Sequence, residues 1–265
     1  CITTNWNNGM QLSELVYYPV KSMRGIALES TEAGIMGLSH DREWLLTDEA
    51  GQFITARAYP QLLLWQARCV DEGLQLIAPD GDSRTVAVGD LARSSEVTVW
   101  KDTFAADSGC EVSNRWLSEK LGTPVVIHYL GKRSRRVLAY SQTPLSFADG
   151  APYLLTSSAS LTALNQTLAQ PVEMRRFRPN LVIDGEAAYA EEGWKRIRIG
   201  EVEFELFKPC VRCVMTTVDL QTAEKSPLQE PLKTLAKTRK AIFGMNMIAL
   251  NSGVLRLGDA VNVLE

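Results

Sequence analysis

Residues 207–219 read FKPCVRCVMTTVD, in which two cysteines stand three positions apart. The thiolate is the form of cysteine that reacts and binds metals, and the neighbouring cations Lys208 and Arg212 favour that form over the neutral thiol. The stretch therefore predicts a soft-metal site or a thiol redox site at Cys210 and Cys213. Two buried cysteines that act as small hydrophobic residues are the alternative interpretation.

The residues after the second cysteine indicate the fold class. Thr216, Thr217 and Val218 are β-branched and predict a strand at 214–218, which puts the cysteine pair on a loop between strands. A thioredoxin-like pair would instead begin a helix of an α/β fold. A β framework is therefore favoured over a thioredoxin fold.

A zinc site built on the same cysteine pair would need two further ligands. The sequence has no second CxxC pair, and His40 and His128 lie far apart without the spacing of ligands. We therefore interpret both histidines as ordinary surface or core residues. No P-loop, dinucleotide-binding glycine motif or serine nucleophile elbow is present, so the sequence supports neither an NTPase, a Rossmann enzyme nor an acyl transferase.

The first half of the chain has the pattern of an antiparallel barrel or sandwich. Short alternating or β-branched runs separated by turn signals occupy residues 12–18, 43–47, 62–68, 74–77, 85–88, 97–100 and 125–129. One helix is predicted at 112–121, where Val112, Trp116, Leu117 and Leu121 recur at the spacing of one helical face.

The second half repeats this mixture of many strands and few helices. A helix is predicted at 159–169, with Ser157 or Ser158 as its cap, and a second at 232–239. Further strands are predicted at 180–184, 196–199, 203–207, 247–250 and 261–264. We divide the chain into a flexible arm or tag remnant at 1–9, a first domain at 10–130 and a second domain at 131–265.

Composition excludes several classes of partner. The 265 residues are 45% hydrophobic, which predicts a globular protein with a buried core. Their net charge of -3 does not provide the positive charge that would attract nucleic acid or an anionic membrane. No apolar run is long enough to span a membrane. The 5 cysteines are scattered and odd in number, which argues against a disulfide framework, so we expect a cytoplasmic protein.

Six short motifs occur in an order that matches a known family. They occupy residues 18–25, 41–42, 55–57, 144–150, 177–180 and 208–219. From about residue 12 to 264 the chain resembles the MOSC-domain proteins with an N-terminal β-barrel domain, among them the YcbX proteins and the mitochondrial amidoxime-reducing components. The resemblance implies an α+β, mostly β fold, in which an N-terminal β-barrel domain packs on a MOSC β-barrel domain with a few helices.

The same resemblance implies a molybdenum cofactor, a pterin dithiolene with a terminal phosphate, between the two domains. Cys213 matches the catalytic cysteine that gives a thiolate ligand to molybdenum, and Cys210 has a supporting role. The positions that match cofactor-binding residues are Lys21, Ser22, Arg42, Arg178, Asn180, Arg212 and Asn246. Thr156, Ser157 and Ser158 stand at the start of a predicted helix, where hydroxyls and free backbone N–H groups suit an anion. Arginine suits this role because its planar fork binds phosphate through two hydrogen bonds. We also expect Pro179 to bias Arg178 toward extended backbone.

The implied activity is the reduction of N-hydroxylated compounds, namely amidoximes, hydroxylamines and N-hydroxylated nucleobases, to amines or amidines. The implied partner is a separate electron donor, either a ferredoxin-like protein or a flavin reductase, unless a 2Fe-2S domain follows Glu265. The basic residues 132–136 would lie in a solvated loop, line the cleft or receive an acidic electron-transfer protein. Two other functions stay open: a carrier or sulfur-transfer module for the cofactor, and a metal or thiol redox protein that uses Cys210 and Cys213 alone.

Overall fold

The computed structural model describes residues 9–131, 134 and 136–265. Except for its last residue, the arm predicted at 1–9 lies outside the described residues. The same holds for residues 132, 133 and 135 of the predicted basic cluster.

Strands make up most of the regular structure. The strands are β1 (Gln11–Tyr17), β2 (Ile26–Ala27), β3 (Ser30–Gly34), β4 (Gly37–Leu38), β5 (Trp44–Thr47), β6 (Gln66–Val70), β7 (Gly73–Ile77), β8 (Ser83–Ala87), β9 (Arg93–Val99), β10 (Asp102–Ser108), β11 (Val126–Tyr129), β12 (Tyr153–Ser157), β13 (Leu181–Asp184), β14 (Arg196–Ile199), β15 (Val202–Val211), β16 (Ile242–Ala249), β17 (Gly253–Arg256) and β18 (Val261–Val263). The α-helices of the described residues are α1 (Glu111–Leu121), α2 (Ser158–Asn165) and α3 (Leu232–Arg239). Short 3₁₀-helices cover Pro60–Leu64, Val88–Asp90, Met174–Phe177, Ala190–Gly193 and Val214–Thr217. The predicted α+β, mostly β fold is therefore confirmed.

Within the described part of the chain, the strands form four sheets. The largest has eight strands in the order β18-β14-β15-β16-β12-β13-β1-β2, and the second has four in the order β5-β11-β10-β9. Two three-stranded sheets follow the orders β17-β3-β4 and β6-β7-β8. None of the helices in the described residues is both long and apolar enough to cross a membrane.

The first strands of the chain belong to sheets that the last third completes. Strand β1 pairs antiparallel with β13, and β3 pairs antiparallel with β17. One apolar core lies inside the largest sheet and includes residues from β1, β3 and β17. A second core lies under β5 to β8 and α1, and Val218 packs into it just after the cysteine pair. The division between residues 130 and 131 stays a prediction. Strands from both sides of this division pair with each other in the same sheets.

Helix α3 has the predicted bounds, and α2 is shorter than predicted. Asn165 ends α2 because its side chain bonds the backbone of Val172, its Oδ1 accepting from the Val172 N–H at 2.9 Å. Helix α1 lies where it was predicted, but Val112 is 63% exposed and does not belong to the buried face. The strand predicted at 62–68 begins only at Gln66. Pro60 starts a 3₁₀ turn, and this turn buries Leu62 and Leu63 before the strand begins.

Several strands have no counterpart in the sequence prediction. These are β2, β3, β4, β10, β12 and β17. Strand β10 pairs along its whole length with β9, and β17 pairs along its whole length with β3. Because cross-strand pairs stabilise such short segments more than local propensity does, their own sequences carry little signal.

Candidate functional site

A cavity of about 460 Å³ lies where loops of the first half meet the largest sheet. The predicted residues that line it are Lys21, Ser22, Arg42, Arg178, Asn180, Arg212, Cys213 and Asn246. Further lining residues include Arg57, Trp100, Asp149, Tyr153, Arg176, Lys208 and Cys210. Seven arginine and lysine side chains therefore face one carboxylate, that of Asp149, among the described residues of the wall. Such an excess of positive charge favours an anionic ligand.

The two cysteines lie at the end of β15 and just beyond it. Cys210 is half-buried in β15, whereas Cys213 is exposed and precedes the 3₁₀-helix Val214–Thr217. The strand predicted at 214–218 is therefore wrong. The hydroxyls of Thr216 and Thr217 donate to the carbonyls of Cys213 and Val214 at 3.0 and 2.7 Å. These local bonds favour a turn over a strand, although both threonines are β-branched.

Strand β15 carries the cysteine motif into the cavity. It continues past the predicted 203–207 to Val211, with irregular pairing to β16 around Lys208 and Pro209. Proline lacks an N–H to donate to a sheet, so such an irregularity is where a strand accommodates it. Lys208 is paired with Asn246 on β16, which explains why both line the same wall.

Arg212 links the cysteine segment to the loop before β13. Its Nη1 donates to the Cys210 sulfur at 2.8 Å, and its Nη2 donates to the Phe177 carbonyl. The Arg212 Nε is buried and has no hydrogen-bond partner among the described residues, and the same is true of Arg176 Nε. The Nε atoms of Arg84, Arg196 and Arg239, which do not line the cavity, share this property, so it does not distinguish the cavity from the rest of the described residues.

Arg42 and Arg178 pack on one aromatic ring. Their guanidinium carbons lie 4.5 and 4.2 Å from the centroid of the buried Tyr18 ring. Arg42 Nη1 donates to Asn180 Oδ1 at 3.0 Å and to Asp41, and Arg178 Nη1 donates to a backbone carbonyl of the loop after β1 at 2.7 Å. Burial lowers the pKa of Arg178 to about 10, which leaves it cationic at neutral pH. The arrangement fixes two cations side by side without a matching number of anions.

Arg178 has left-handed backbone with φ of 55°, so the expected extended conformation is wrong. Its N–H bonds the carbonyl of Arg175 at 3.1 Å and closes the 3₁₀-helix Met174–Phe177. A left-handed residue at this position is a common way to end a helix. The helix end therefore outweighs the influence of Pro179.

Lys21 is buried against the loop that precedes β12. Its Nζ donates to the Phe147 carbonyl at 2.7 Å and to Asp149 Oδ1 at 2.5 Å. Burial lowers the pKa of Lys21 to about 8, while the Asp149 carboxylate opposes this shift. The lysine is thus a cation whose proton is held less firmly than usual.

The remaining predicted residues, Thr156, Ser157 and Ser158, do not line the cavity. Thr156 is fully buried and its hydroxyl donates to the sulfur of Met174 at 3.2 Å. Ser158 donates to the side chain of Asp184, and the buried Ser157 hydroxyl has no hydrogen-bond partner among the described residues. Ser157 stands at the N-cap of α2, but its side chain makes no capping hydrogen bond with the described residues. These hydroxyls were predicted from their place before a helix, which does not determine the direction in which they point.

Five residues that line the cavity have no cofactor role predicted from the sequence: Arg57, Trp100, Asp149, Arg176 and Lys208. Arg57 and Asp149 belong to motifs at 55–57 and 144–150, and Lys208 adjoins the cysteine pair, so a sequence signal existed for these three. Trp100 ends a predicted strand and has no sequence feature that relates it to the cysteines. The described residues contain no group of three or more His, Cys, Asp or Glu arranged to hold a metal ion.

The basic cluster predicted at 132–136 is described at only two positions. Arg136 is buried and does not lie in a solvated loop. Its Nε donates to Asp102 at 2.8 Å, and its other nitrogens donate to the carbonyls of Ser146, Ala148 and Asp149. It therefore holds the loop that carries Asp149 against β10.

Comparisons with known proteins match both halves of the chain. Residues 9–124 match the family model of the MOSC N-terminal beta barrel domain, and residues 142–262 match that of the MOSC domain. Mitochondrial amidoxime-reducing component 1 of Mus musculus is 32% identical over 96% of this chain and 82% of that protein. Mitochondrial amidoxime reducing component 2 of Rattus norvegicus is 33% identical over 94% of this chain and 82% of that protein. Molybdenum cofactor sulfurase of Oryza sativa subsp. japonica is 31% identical over 89% of this chain but only 32% of that protein.

Proposed function

Because this chain belongs to the family of MOSC-domain proteins with a MOSC N-terminal β-barrel domain, we propose that it is a molybdenum cofactor-dependent oxidoreductase. Its proposed substrates are N-hydroxylated compounds: amidoximes, hydroxylamines and N-hydroxylated nucleobases. The observation that carries the proposal is an exposed thiol, Cys213, in the wall of a strongly cationic cavity. The names of the amidoxime-reducing relatives support the substrate class. A cytoplasmic location is part of the same proposal.

The residues of the cavity fit an anionic cofactor with a soft metal. The planar guanidinium groups of the arginines and the ammonium group of Lys21 suit a phosphate and the polar edge of a pterin. The seven arginine and lysine side chains that face one carboxylate in the described wall support this fit. Cys213 would give its thiolate to the metal, since molybdenum in a dithiolene is a soft partner for sulfur. Arg42, Arg178 and Asn180 would orient the pterin end.

The proposed reaction removes oxygen from nitrogen. The N–O bond breaks as two electrons and two protons enter, one proton ends on nitrogen, and the other ends on the oxygen that leaves as water. The bound cofactor would supply the two-electron chemistry, and a separate ferredoxin-like or flavin-containing electron donor would replenish the electrons. The protein's own contribution is to hold the cofactor and to keep a thiolate at its metal.

The test is to express the full chain with molybdate and to measure molybdenum, pterin and the reduction of benzamidoxime with an artificial electron donor. We expect near one molybdenum and one pterin per chain, together with turnover. Cys213→Ser should lose the metal and the activity, whereas Cys110→Ser should keep both, because Cys110 lies before α1 and outside the cavity. Full metal content and activity in Cys213→Ser would rule out the ligand assignment. Zinc in place of molybdenum and pterin would favour a metal or thiol redox protein instead.

A second candidate function is that of a cofactor carrier or sulfur-transfer module. The match to a molybdenum cofactor sulfurase over most of this chain favours it. Such a module would bind the cofactor in the same cavity without reducing a substrate. Release of cofactor to an apo-molybdoenzyme, with no turnover of any N-hydroxylated compound, would support this alternative over the reductase.

A further inference from the structure

A second groove, about 600 Å³ in volume, opens beside the cationic cavity. The two share a wall made of Trp100, Asp149 and Gly150. Apolar side chains line the groove, among them those of Phe53 and Leu145. A ligand that enters the cavity past this wall therefore has an apolar surface on which to rest.

The charges of the groove balance, because its described lining has two cations, Lys101 and Arg136, and two carboxylates, Asp102 and Asp149. Arg136, which lines the groove, already donates to Asp102 and to three backbone carbonyls. In the cavity, by contrast, seven arginine and lysine side chains face the single Asp149 carboxylate among the described lining residues. The cavity thus suits an anion, and the groove suits an uncharged flat group.

Trp100 occupies an unfavourable backbone position between the two. It begins the two-residue turn that joins β9 to β10, where Val99 pairs with Asp102. Its φ is 58°, in the left-handed region that such turns normally give to glycine or asparagine. A bulky side chain in this conformation is strained, and strain of this kind concentrates at ligand-binding sites.

The Trp100 ring is nevertheless held in a defined orientation. Its Nε1 donates to Asp149 Oδ1 at 2.9 Å, and the Arg57 guanidinium lies 4.3 Å from the ring centroid. The Phe53 ring lies at 5.3 Å and is tilted by 60°. Even so, 49% of Trp100 is exposed. An aromatic side chain that is fixed and half exposed can take a stacking partner at little cost in side-chain entropy.

We propose that Trp100 is the platform of a substrate subsite, on which the flat aromatic part of an N-hydroxylated substrate stacks while its N–OH group enters the cationic cavity. Asp149 is a positioning residue in this subsite. The same Oδ1 accepts from Lys21 Nζ and from Trp100 Nε1, so it ties the platform to the cavity. The protein therefore prefers aryl amidoximes and N-hydroxylated bases to small aliphatic ones. This inference rests on the proposed function for the identity of the reacting group.

The variant Trp100→Gly tests the platform. Glycine adopts the left-handed φ of this turn without steric strain, so we expect the variant to fold. The matched control is Trp116→Phe, because Trp116 lies on α1 against Trp65 and lines neither the cavity nor the groove. Both are made in the cofactor-loaded full chain. The measurements are kcat and KM for benzamidoxime and acetamidoxime, and the affinity for benzamidoxime by isothermal titration calorimetry.

We expect the ratio of kcat/KM for benzamidoxime to that for acetamidoxime to fall about tenfold in Trp100→Gly, the size of one good aromatic contact. The loss should lie in KM, the calorimetric affinity should fall in parallel, and Trp116→Phe should keep the wild-type ratio. An unchanged ratio, or equal losses for both substrates, would overturn the subsite.

If the loaded wild-type protein reduces neither compound, the proposed function fails and calorimetry alone decides on the subsite. Benzamidoxime binding that Trp100→Gly weakens would then support the platform. Binding that is absent, or that the variant leaves intact, would refute it.

Discussion

Four residues of the cavity wall have left-handed backbone without being glycine. They are Ser22, Arg42, Trp100 and Arg178, with φ of 70°, 52°, 58° and 55°. Each such residue costs about 1 kcal/mol relative to ordinary backbone. The surrounding bonds hold them there: Arg42 N–H donates to the Tyr18 carbonyl at 2.8 Å. The concentration of strain around one cavity is independent support for a functional site at this place.

Lys21 should make anion binding in this cavity depend on pH. Its pKa of about 8, lowered by burial, means that it is mostly charged at pH 7 and mostly neutral at pH 9. If the charged form contacts the anion, the affinity falls about tenfold between these values. Sulfate is a suitable probe because it stays a dianion throughout, and calorimetry at the two pH values measures the change.

Two variants sharpen this prediction. Lys21→Met should flatten the pH dependence of sulfate affinity. Lys208→Met removes an exposed lysine of the same wall and should keep the dependence. Equal sulfate affinity of the wild-type protein at pH 7 and pH 9 would show that Lys21 does not contact the anion.

The connection between β1 and β2 is the element that positions the first-half cations. It carries Lys21 and Ser22 into the cavity and begins with Tyr18, whose hydroxyl donates to the Pro179 carbonyl at 3.1 Å. The connection ends at Gly25, which lies directly against the Tyr18 ring. The ring that supports Arg42 and Arg178 is therefore packed from within the same loop.

Gly25→Ala should disturb this packing. The added methyl would lie 2.4 Å from a carbon of the Tyr18 ring, so the ring must shift and its two arginines with it. Overpacking of this kind costs about 1–3 kcal/mol of unfolding free energy. We expect a lower urea midpoint and less pterin retained per chain. Gly89→Ala, where nothing lies within 4 Å of the added methyl, should change neither, and a Gly25→Ala protein with full pterin content would contradict the supporting role of Tyr18.

At the scale of the whole molecule, the two regions matched by the family models share their sheets. Strand β1 covers the edge of β13, and β3 covers the edge of β17. An isolated second region would expose both edges, and unpaired edges promote aggregation. The cavity also takes cations from both regions, so it is complete only when they are together.

A fragment of residues 142–262 should therefore lack a cooperative thermal transition or elute as aggregate in size-exclusion chromatography. Co-expression of residues 1–131 with residues 132–265 should restore a single folded species, because every strand then has its partner. A monodisperse 142–262 fragment with a cooperative transition would show that β1 and β3 are dispensable for the second region.

Features that depend on near neighbours in the chain are predictable from the amino-acid sequence. The bounds of α3 and the position of α1 were predicted from local helix signals. The cysteine pair and its flanking cations were recognised because these residues lie next to one another in the chain. The motifs of the resemblance located most of the cavity wall for the same reason. The mostly β fold followed from many short alternating runs.

Contacts between side chains that are far apart in the chain depend on the tertiary fold. Lys21 bonds Asp149 across 128 positions, and Trp100 bonds the same carboxylate across 49, distances over which local patterns carry no information. Thr156 has the hydroxyl expected of an anion site, yet β12 buries it in the core. The side a residue faces is set by the sheet pairing around it, and that pairing joins strands from opposite ends of the chain.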